Sequence, residues 1–425
     1  MSLALVLALR LIGAALLLPR WQGPDEPQHV YLISSLVGGY GPLREAEAAT
    51  VESMYRNGWW EHFQLRRPQT VPHTFIEGPA NVTDVRGAPG GPIVFHRVVA
   101  WMLRGLDVKT VDEQYAALRL AGACLGFLTF WIVWKANRLL FGWEIAIGAA
   151  AVVALLPQYL LVSLNANPDG AVLGMGALIW LCAALVITRR AILLAVTAAW
   201  LCALAGVAIR RLAFPLLLDA AIITALALAL GSAHHRRQLA VVIVGGTAMA
   251  FWLAASSSIS TALSWSAAVF RPHDAFEGLL ADPALIVGLA VTLFKSFWLT
   301  GGWMRYPAPL WWYGFAVVIV TVAFAGCVLQ GRHLAPLVRR GVGVAALFAV
   351  IQLVAIFIVY IPIRTGVQGR YLMPVIGPIV ALLATGVLAW PWPRRAATAV
   401  LITVLGGLDV IAWSTVLIPA YGPPL

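Results

Sequence analysis

The sequence predicts an all-α polytopic membrane protein, and three observations lead to this fold class. Hydrophobic residues make up 61% of the 425 residues and charged residues only 11%, a balance far from that of soluble proteins. Apolar stretches of roughly 17–22 residues recur along the whole chain, and a helix of that length crosses the hydrocarbon layer of a bilayer. Basic residues cluster in the short loops between these stretches, which is typical of cytoplasmic loops in membrane proteins.

We place about 11 transmembrane helices on the chain from the lengths of the apolar stretches. They cover residues 3–20, 115–134, 144–163, 170–188, 191–209, 213–231, 238–255, 310–329, 341–360, 372–390 and 396–417. With the N-terminus inside, every second loop carries the basic residues, so the assignment agrees with the positive-inside rule. Membrane topology therefore accounts for the net charge of +11, and we expect membrane lipids and no nucleic acid as partners.

Two further apolar segments are left out of this count, because either one alone would reverse the charge pattern of all later loops. Residues 92–106 are short and amphipathic, with Arg97 and Arg104 on one helical face, which predicts a helix lying in the membrane interface. Residues 284–303 carry Lys295 and several tryptophans near their end. We expect this second segment to be re-entrant or interfacial.

The predicted outer face has loops of unequal length. Residues 20–114 form a large first outer loop, which holds most of the acids and is expected to contain interfacial helices. Residues 256–309 form the second outer loop. The sequence shows no soluble C-terminal domain, so we expect residues 1–425 to form a single membrane-embedded domain. Any chemistry must then be assembled from outer loops on a helical scaffold.

The first candidate motif is "PDEPQH", which places Asp25, Glu26 and His29 just after the first span. One interpretation is structural, since Asp25 as N-cap with Gln28 at the third helical position resembles a capping box. The other interpretation is functional: either carboxylate can act as a general base or hold a divalent cation such as Mg, Mn or Ca. His29 lies about one helical turn from Asp25, where it can orient that carboxylate.

A second acid follows in "NANPDG", where Asp169 opens another helix beside a proline on the same predicted face. An N-cap is the structural alternative here too. As a functional residue, Asp169 is a second candidate for the base, or a third carboxylate ligand for a cation together with Asp25 and Glu26.

Arginines on the predicted outer face run against the positive-inside trend. "RTGVQGRYLMP" contains Arg364, Arg370 and Tyr371, and "AIRRLAFP" contains Arg210 and Arg211. Arginine binds phosphate with two parallel hydrogen bonds, so these residues are candidates for substrate binding. The alternative is that they anchor lipid headgroups.

A basic and aromatic stretch, "FKSFWLTGGWMRYPAP", closes the second outer loop. Its tryptophans are compatible with an interfacial aromatic belt. The combination of Lys295, Trp298 and Arg305 around a Gly-Gly break is more specific, and we expect it to form a wall that binds a phosphate and a sugar ring.

Taken together, "PDEPQH", "NPDG", "SFWLTGGWM" and "QGRYLMP", in this order on a multi-span chain, resemble a bacterial family of GT-C-fold membrane glycosyltransferases. These are relatives of the enzymes that use polyprenyl-phosphate sugars, such as protein mannosyltransferases. The resemblance implies a GT-C-like fold with an acidic motif at the catalytic centre. By the same resemblance, Asp25 and Glu26 match the acidic pair, Asp169 matches an acid in a later outer loop, and Arg370 matches a basic residue near the carrier phosphate.

The resemblance implies a glycosyltransferase that moves a sugar from a polyprenyl-phosphate carrier to a hydroxyl of a glycan or lipid acceptor. We expect it to act at the outer face of the bacterial cytoplasmic membrane and to invert the anomeric centre. The leaving group is already a phosphate anion, so the reaction needs a base and cations rather than a strong acid. A lipid-linked glycan ligase and a lipid or sugar flippase are the alternatives.

Overall fold

The computed structural model describes residues 2–38, 43–62, 65–75, 94–232, 240–241, 243, 245, 272–302, 304–364 and 366–421. Its α-helices include α1 (Ser2–Leu17), α2 (Glu26–Val37), α3 (Leu43–Arg56), α4 (Trp59–His62), α5 (Val94–Gly105), α6 (Val111–Phe141), α7 (Trp143–Leu155), α8 (Pro157–Leu164), α9 (Asp169–Ile187), α10 (Ile192–Ile209), α11 (Pro215–Leu230), α12 (Pro272–Ala281), α13 (Pro283–Trp298), α14 (Leu310–Gln330), α15 (Pro336–Ile363), α16 (Ile376–Leu388), α17 (Arg394–Ala412) and α18 (Ile418–Tyr421). A 3₁₀ segment, Gly369–Val375, leads into α16. Short strands β1 (Thr300–Gly301) and β2 (Tyr306–Pro307) pair antiparallel, with Thr300 opposite Pro307. Apart from this hairpin, the described elements are helical.

The prediction of an all-α, multi-span membrane protein is confirmed. Within the described residues, seven helices are long and apolar enough to cross a membrane, and up to nine if each of two bent helix pairs counts as one span. The seven are Val111–Phe141, Asp169–Ile187, Ile192–Ile209, Leu310–His333, Pro336–Ile363, Gly369–Leu388 and Arg394–Tyr421.

The predicted count of eleven spans is not confirmed, because two of the helices are short and one predicted span lies mostly outside the described residues. Helices α1 and α11 have 16 residues each, which is about 24 Å of helix against a hydrocarbon layer of about 30 Å. The predicted span at residues 238–255 lies almost wholly outside the described residues.

Two helix pairs bend sharply at a proline that begins the second helix. The predicted span 144–163 is broken into α7 and α8 with an angle of 62° at Pro157, because proline has no N–H to continue the helical bonds. Helices α12 and α13 meet at 106°, where Asp282 caps the N-terminus of α13. A re-entrant segment at residues 284–303 stays a prediction, since a broken span shows the same bend.

The centre of the bundle is formed by α9 and by the segment from Gly369 to Leu388. In their most apolar stretches, 72% and 83% of the residues are buried. These two elements touch closely at Gly176 of α9, where any Cβ atom would collide with the carbonyl of Pro374. On its other side, Gly369 lies against the backbone of Phe297, and its N–H donates to Ser296 Oγ at 2.7 Å. Arg370, the next residue, is therefore held in place from two sides.

A buried ion pair joins the short helix α1 to α17, near the other end of the chain. Arg10 of α1 pairs with Asp409 of α17 and also donates to the carbonyl of Ala154, beside the break between α7 and α8. Asp219, another acid within an apolar helix, is buried on α11, and its Oδ1 has no hydrogen-bond partner. Arg10 compensates the charge of Asp409. It also donates a hydrogen bond to a carbonyl that has lost its helical donor at the break.

We expect Arg10→Met to destabilise the protein by about 3–5 kcal/mol, because Asp409 is left as a buried charge without a partner. Adding Asp409→Leu should restore part of that loss, since only the Ala154 carbonyl then lacks a donor. Thermal unfolding of the detergent-solubilised full chain, followed by tryptophan fluorescence, measures both variants. Exposed Arg97→Met is the control, and equal instability of the single and double variants would contradict the pairing.

Candidate active site

Four charged side chains from separate parts of the chain form one buried cluster. Arg370 Nη2 donates to Asp25 Oδ2 at 2.7 Å, and Arg370 Nη1 lies 3.3 Å from Asp169 Oδ2. Arg210 pairs with the other oxygen of Asp169. Two carboxylates thus alternate with two guanidinium groups, and we call these four residues the charge cluster.

The charge cluster lies where several helices end or begin at one end of the bundle. Asp25 immediately precedes α2, Asp169 begins α9, and Arg210 follows α10. Arg370 belongs to the 3₁₀ segment that leads into α16. These loops were all predicted on the same face, and the structure brings them into contact.

Neither aspartate serves as a side-chain helix cap. Asp25 occupies the N-cap position of α2 in a left-handed conformation with φ of 65°, and its side chain makes no capping hydrogen bond. Asp169 is the first residue of α9, whose N-cap Pro168 has no side-chain capping bond either. The carboxylates point to Arg370 and Arg210 instead. A strained backbone at Asp25 is typical of residues held in place for function.

The loop before α9 ties the two aspartates together. Asn167 donates from Nδ2 to the carbonyl of Pro24 at 3.1 Å and accepts the Asp169 N–H at 2.9 Å. Arg370 Nη1 lies 3.4 Å from the same Pro24 carbonyl. One asparagine therefore links the backbone just before Asp25 to the backbone N–H of Asp169.

Two tyrosines line the arginine side of the charge cluster. Arg370 Nη2 donates to the Tyr371 hydroxyl at 3.3 Å. The guanidinium carbons of Arg370 and Arg210 lie 5.2 Å and 5.6 Å from the centre of the Tyr371 ring, within the range of cation–π attraction. Tyr360 stacks on Tyr371 with ring centres 5.1 Å apart. The aromatic rings keep both guanidinium groups in position.

Asp25 is the accessible member of the charge cluster. Its side chain is 35% exposed, whereas those of Arg370 and Asp169 are 4% and 6% exposed. Burial alone would raise the pKa of Asp25, but the charges of Arg370 and Arg210 outweigh burial and hold this pKa below its ordinary value. Asp25 is therefore ionised, and its basicity depends on whether Arg370 stays beside it.

Glu26 lies next to Asp25 in the sequence but in a different environment. It is 1% exposed, and its oxygens accept the N–H of Gly23 at 2.8 Å, the N–H of Ala166 at 2.9 Å and the hydroxyl of Tyr115 at 3.0 Å. Burial raises the pKa of Glu26 against the opposing effects of Arg119 and these hydrogen bonds. Glu26 joins the first loop to the loop before α9.

His29 packs beside the charge cluster and contacts a second histidine. Its Nδ1 lies 2.8 Å from Nε2 of His96 on α5, and the rings stack with centres 5.1 Å apart. Burial, with the neighbouring imidazole, lowers the pKa of His29 to about 3, and burial lowers that of His96 to about 4. Both rings are neutral at physiological pH.

Among the described side chains, those of the predicted binding residues Trp298, Lys295 and Arg364 form no hydrogen bond or ion pair with the charge cluster. Trp298 is fully buried and packs against Trp312 with ring centres 6.5 Å apart, as expected of a core residue. Lys295 is half-buried, with Nζ 5.7 Å from the centre of the Tyr313 ring. Arg364 is exposed at the end of α15. The side chain of Arg211 lies outside the described part.

Arg305 lines a separate cavity of about 780 Å³. The cavity is bounded by α4, the β1–β2 hairpin and the C-terminal helical segment, and its polar lining includes Glu61, His62 and Thr415. Tyr306 of the hairpin packs against Tyr421 with ring centres 5.9 Å apart.

The same hairpin also faces the motif that contains Asp25. The Gly302 N–H donates to the Tyr421 hydroxyl at 2.5 Å, and both residues line a narrow cavity together with Gly23 and Pro24. The hairpin and Tyr421 thus form a wall between the 780 Å³ cavity and the loop that carries Asp25.

A divalent cation does not fit the predicted carboxylates in this arrangement. Asp25 and Asp169 are paired with arginines, and both oxygens of Glu26 accept hydrogen bonds from donors. No group of three or more His, Cys, Asp or Glu side chains suited to a metal occurs among the described residues. We therefore assign no chemical step to a cation.

Three residues of the site were not found from the sequence. Asn167 sits in the quoted "NANPDG", where an Asn-Pro-Asp run was a usable signal. His96 lies on the amphipathic α5, and Tyr360 lies inside the apolar α15. No spacing connects these two residues to the motifs they contact.

Comparisons with known proteins give one match among solved structures. No known protein family matches the chain, and no curated protein matches it. The crystal structure of ArnT from Cupriavidus metallidurans bound to undecaprenyl phosphate has 16% sequence identity with it and a TM-score of 0.48. The superposition covers 97% of this chain but only 63% of the ArnT chain, so this chain spans less than two thirds of that protein's length.

Proposed function

We propose that this protein is a membrane glycosyltransferase that moves a sugar from a polyprenyl-phosphate carrier to an acceptor hydroxyl. One observation carries the proposal: Arg370 lies between the carboxylates of Asp25 and Asp169, with Arg210 on the far side of Asp169. Basic groups for a phosphate and an acidic group for a hydroxyl proton are thus neighbours in one site. The sequence motifs that resemble GT-C glycosyltransferases supply these same residues.

The donor phosphate binds at Arg370 in this proposal. A guanidinium binds phosphate oxygens through parallel charge-assisted hydrogen bonds, and Arg370 already offers its two terminal nitrogens to carboxylate oxygens. Asp25 is the exposed partner, so the phosphate replaces Asp25 and leaves Asp169 in place. Asp169 then keeps Arg210 and Arg370 aligned.

Asp25 acts as the base once the phosphate has taken its place beside Arg370. Loss of the guanidinium charge raises the pKa of Asp25 towards that of a buried carboxylate, which makes it a stronger base. The acceptor oxygen attacks the anomeric carbon while its proton passes to Asp25. The bond from that carbon to the phosphate oxygen breaks, and its electron pair leaves with the phosphate, which Arg370 and Arg210 stabilise. Direct displacement inverts the anomeric centre.

Glu26 is assigned a positioning role rather than that of the base. Its oxygens accept hydrogen bonds from Gly23, Ala166 and Tyr115, and the residue is only 1% exposed, so it is closed to an acceptor hydroxyl. Holding the turn that carries Asp25 against the loop before Asp169 is the role these contacts support.

The acceptor enters through the 780 Å³ cavity in this proposal. A cavity of this size accommodates a drug-sized ligand, and Arg305, Glu61, His62 and Thr415 supply polar groups for a hydroxyl-rich glycan or lipid headgroup. Tyr421 and the hairpin separate this cavity from the loop that carries Asp25, and in this proposal they move aside to let the acceptor hydroxyl reach the base. We further propose that the site faces the exterior of the bacterial cytoplasmic membrane, because the basic loops lie on the opposite face.

We expect Asp25→Asn to lower kcat by about 10²–10⁴-fold, the range for loss of a general base. The same change should tighten binding of undecaprenyl phosphate, because Asp25 competes with phosphate for Arg370. Purified full-length protein assayed with polyprenyl-phosphate sugars, and undecaprenyl phosphate binding by calorimetry, measure both effects. Lipid-pyrophosphate glycans as donors distinguish the ligase alternative.

Asp107→Asn is the matched control, since Asp107 also has a positive φ, of 53°, but is 81% exposed in its side chain. Full transfer by Asp25→Asn would contradict the base assignment. Each assay is repeated in EDTA, where unchanged turnover is expected and loss of turnover would restore the cation hypothesis.

We expect Arg370→Lys to raise the donor KM roughly tenfold and to lower kcat, because an ammonium is a point charge and lacks the paired donors of the guanidinium. Exposed Arg97→Lys is the control. A donor KM unchanged in Arg370→Lys would show that the carrier phosphate binds elsewhere.

We expect Arg305→Ala to raise the acceptor KM by roughly tenfold, or about 1.4 kcal/mol, and to leave the donor KM unchanged. Steady-state kinetics with each substrate varied in turn separates the two. Arg332→Ala is the control on an exposed arginine. A rise in the donor KM instead would move the donor into this cavity.

A further inference from the structure

We propose that His96 is a positioning residue of the active site, which fixes the tautomer of His29 so that His29 presents its Nε2–H to the Asp25 carboxylate. The catalytic consequence rests on the proposed function, whereas the tautomer itself does not. His96 lies on α5, in a segment that the sequence predicted only as an interfacial helix.

The contact between the two rings requires a single shared proton. His29 Nδ1 and His96 Nε2 lie 2.8 Å apart, and the side chains belong to residues that are 8% and 2% exposed. Burial keeps both rings neutral, with pKa values of about 3 and about 4, so each ring carries one proton. Either both rings are protonated at Nε2 or both are protonated at Nδ1.

The environment of His96 favours protonation at Nε2. Nδ1 of His96 is buried and has no hydrogen-bond partner. If both rings were protonated at Nδ1, this position would be a buried N–H without an acceptor. Buried N–H groups are seldom left without an acceptor, whereas unfilled lone pairs are more common. His96 therefore donates from Nε2, and His29 accepts at Nδ1.

The environment of His29 favours the same arrangement. With Nδ1 accepting from His96, the proton of His29 is on Nε2. Among the charged side chains around His29, Asp25 acts on it most strongly, ahead of Arg210 and Arg370. The strongest of these charges is thus negative, and an N–H towards it is favourable where a lone pair is not. The backbone N–H of His29 also donates to the Asp25 carbonyl at 3.2 Å, which places the two residues one helical turn apart.

This arrangement has a use in the proposed reaction. When the donor phosphate takes Arg370, Asp25 loses its guanidinium partner and is free to turn. The Nε2–H of His29 remains and holds one carboxylate oxygen, while the other faces the acceptor hydroxyl. A base held in a productive orientation speeds the chemical step rather than substrate binding.

Selective ¹⁵N-histidine labelling of the full chain in detergent tests the tautomers without any activity assay. We expect two neutral rings protonated at Nε2, and we expect the His29 Nε2 resonance to shift in Asp25→Asn. Protonation of both rings at Nδ1, or a His29 resonance unaffected by Asp25→Asn, would overturn the proposal. Single substitutions at positions 29 and 96 assign the resonances.

Kinetics of His96→Leu and His96→Gln test the positioning role. Gln keeps an N–H donor near the place of the imidazole Nε2, and Leu does not. We expect kcat to fall roughly tenfold in His96→Leu with an unchanged donor KM, and to recover most of its value in His96→Gln. Equal losses in both variants, or a change confined to the donor KM, would contradict the proposal.

Exposed His273→Gln is the control, and tryptophan fluorescence monitors folding of every variant. If His96→Leu does not fold, the labelling experiment on the wild type still decides. A wild type without transfer activity, but with both rings protonated at Nε2, would remove the proposed function and leave the histidine contact intact.

Discussion

The position of Arg370 between two carboxylates is the interaction on which the rest of the active site depends. Transfer of an ion from water into a protein interior costs several kcal/mol, and attraction repays this only when opposite charges pair closely. Asp25 and Asp169 supply that pairing for Arg370, and Arg210 pairs with the other oxygen of Asp169. The geometry requires the 3₁₀ segment to touch α9, which the bare backbone of Gly176 allows. Packing of the bundle and neutrality of the charge cluster therefore depend on each other.

The sequence identified the four members of the charge cluster as candidates but not the geometry in which they meet. Asp25, Asp169, Arg210 and Arg370 were each identified because their residue type was unusual for its loop, and such local signals survive without knowledge of contacts. The roles of Asp25 and Glu26 were not separable, because the left-handed turn at Asp25 sends adjacent side chains to different surroundings. Trp298 was expected at a ligand and lies in the core, since a tryptophan near a helix end suits both places. The span count failed where prolines break helices, as at Pro157.

Because the charge cluster is neutral, the donor has to bind before Asp25 can act as the base in the proposed reaction. With Arg370 beside it, Asp25 has a lowered pKa and is a weak base. Only an anion that competes for Arg370 changes this, and the carrier phosphate is that anion in the proposed mechanism. The base is then activated when the donor is present and not before. Before the donor binds, Asp25 is paired with Arg370 and is therefore too weak a base to activate a water molecule.

The two adjacent acids of "PDEPQH" illustrate how hydrogen-bond satisfaction separates structural from functional groups. Glu26 is 1% exposed and enclosed by three donors, so a substrate cannot reach it. Around Asp25 the bonding is incomplete: Asp169 Oδ2 and Arg370 Nε are buried without hydrogen-bond partners. Buried polar atoms left unfilled in a native protein call for an explanation such as a catalytic role. A phosphate oxygen at Arg370 would provide the acceptor that Nε lacks, and Asp25 is the exposed carboxylate beside that place, which is why the functional assignment rests on Asp25 and not on its neighbour.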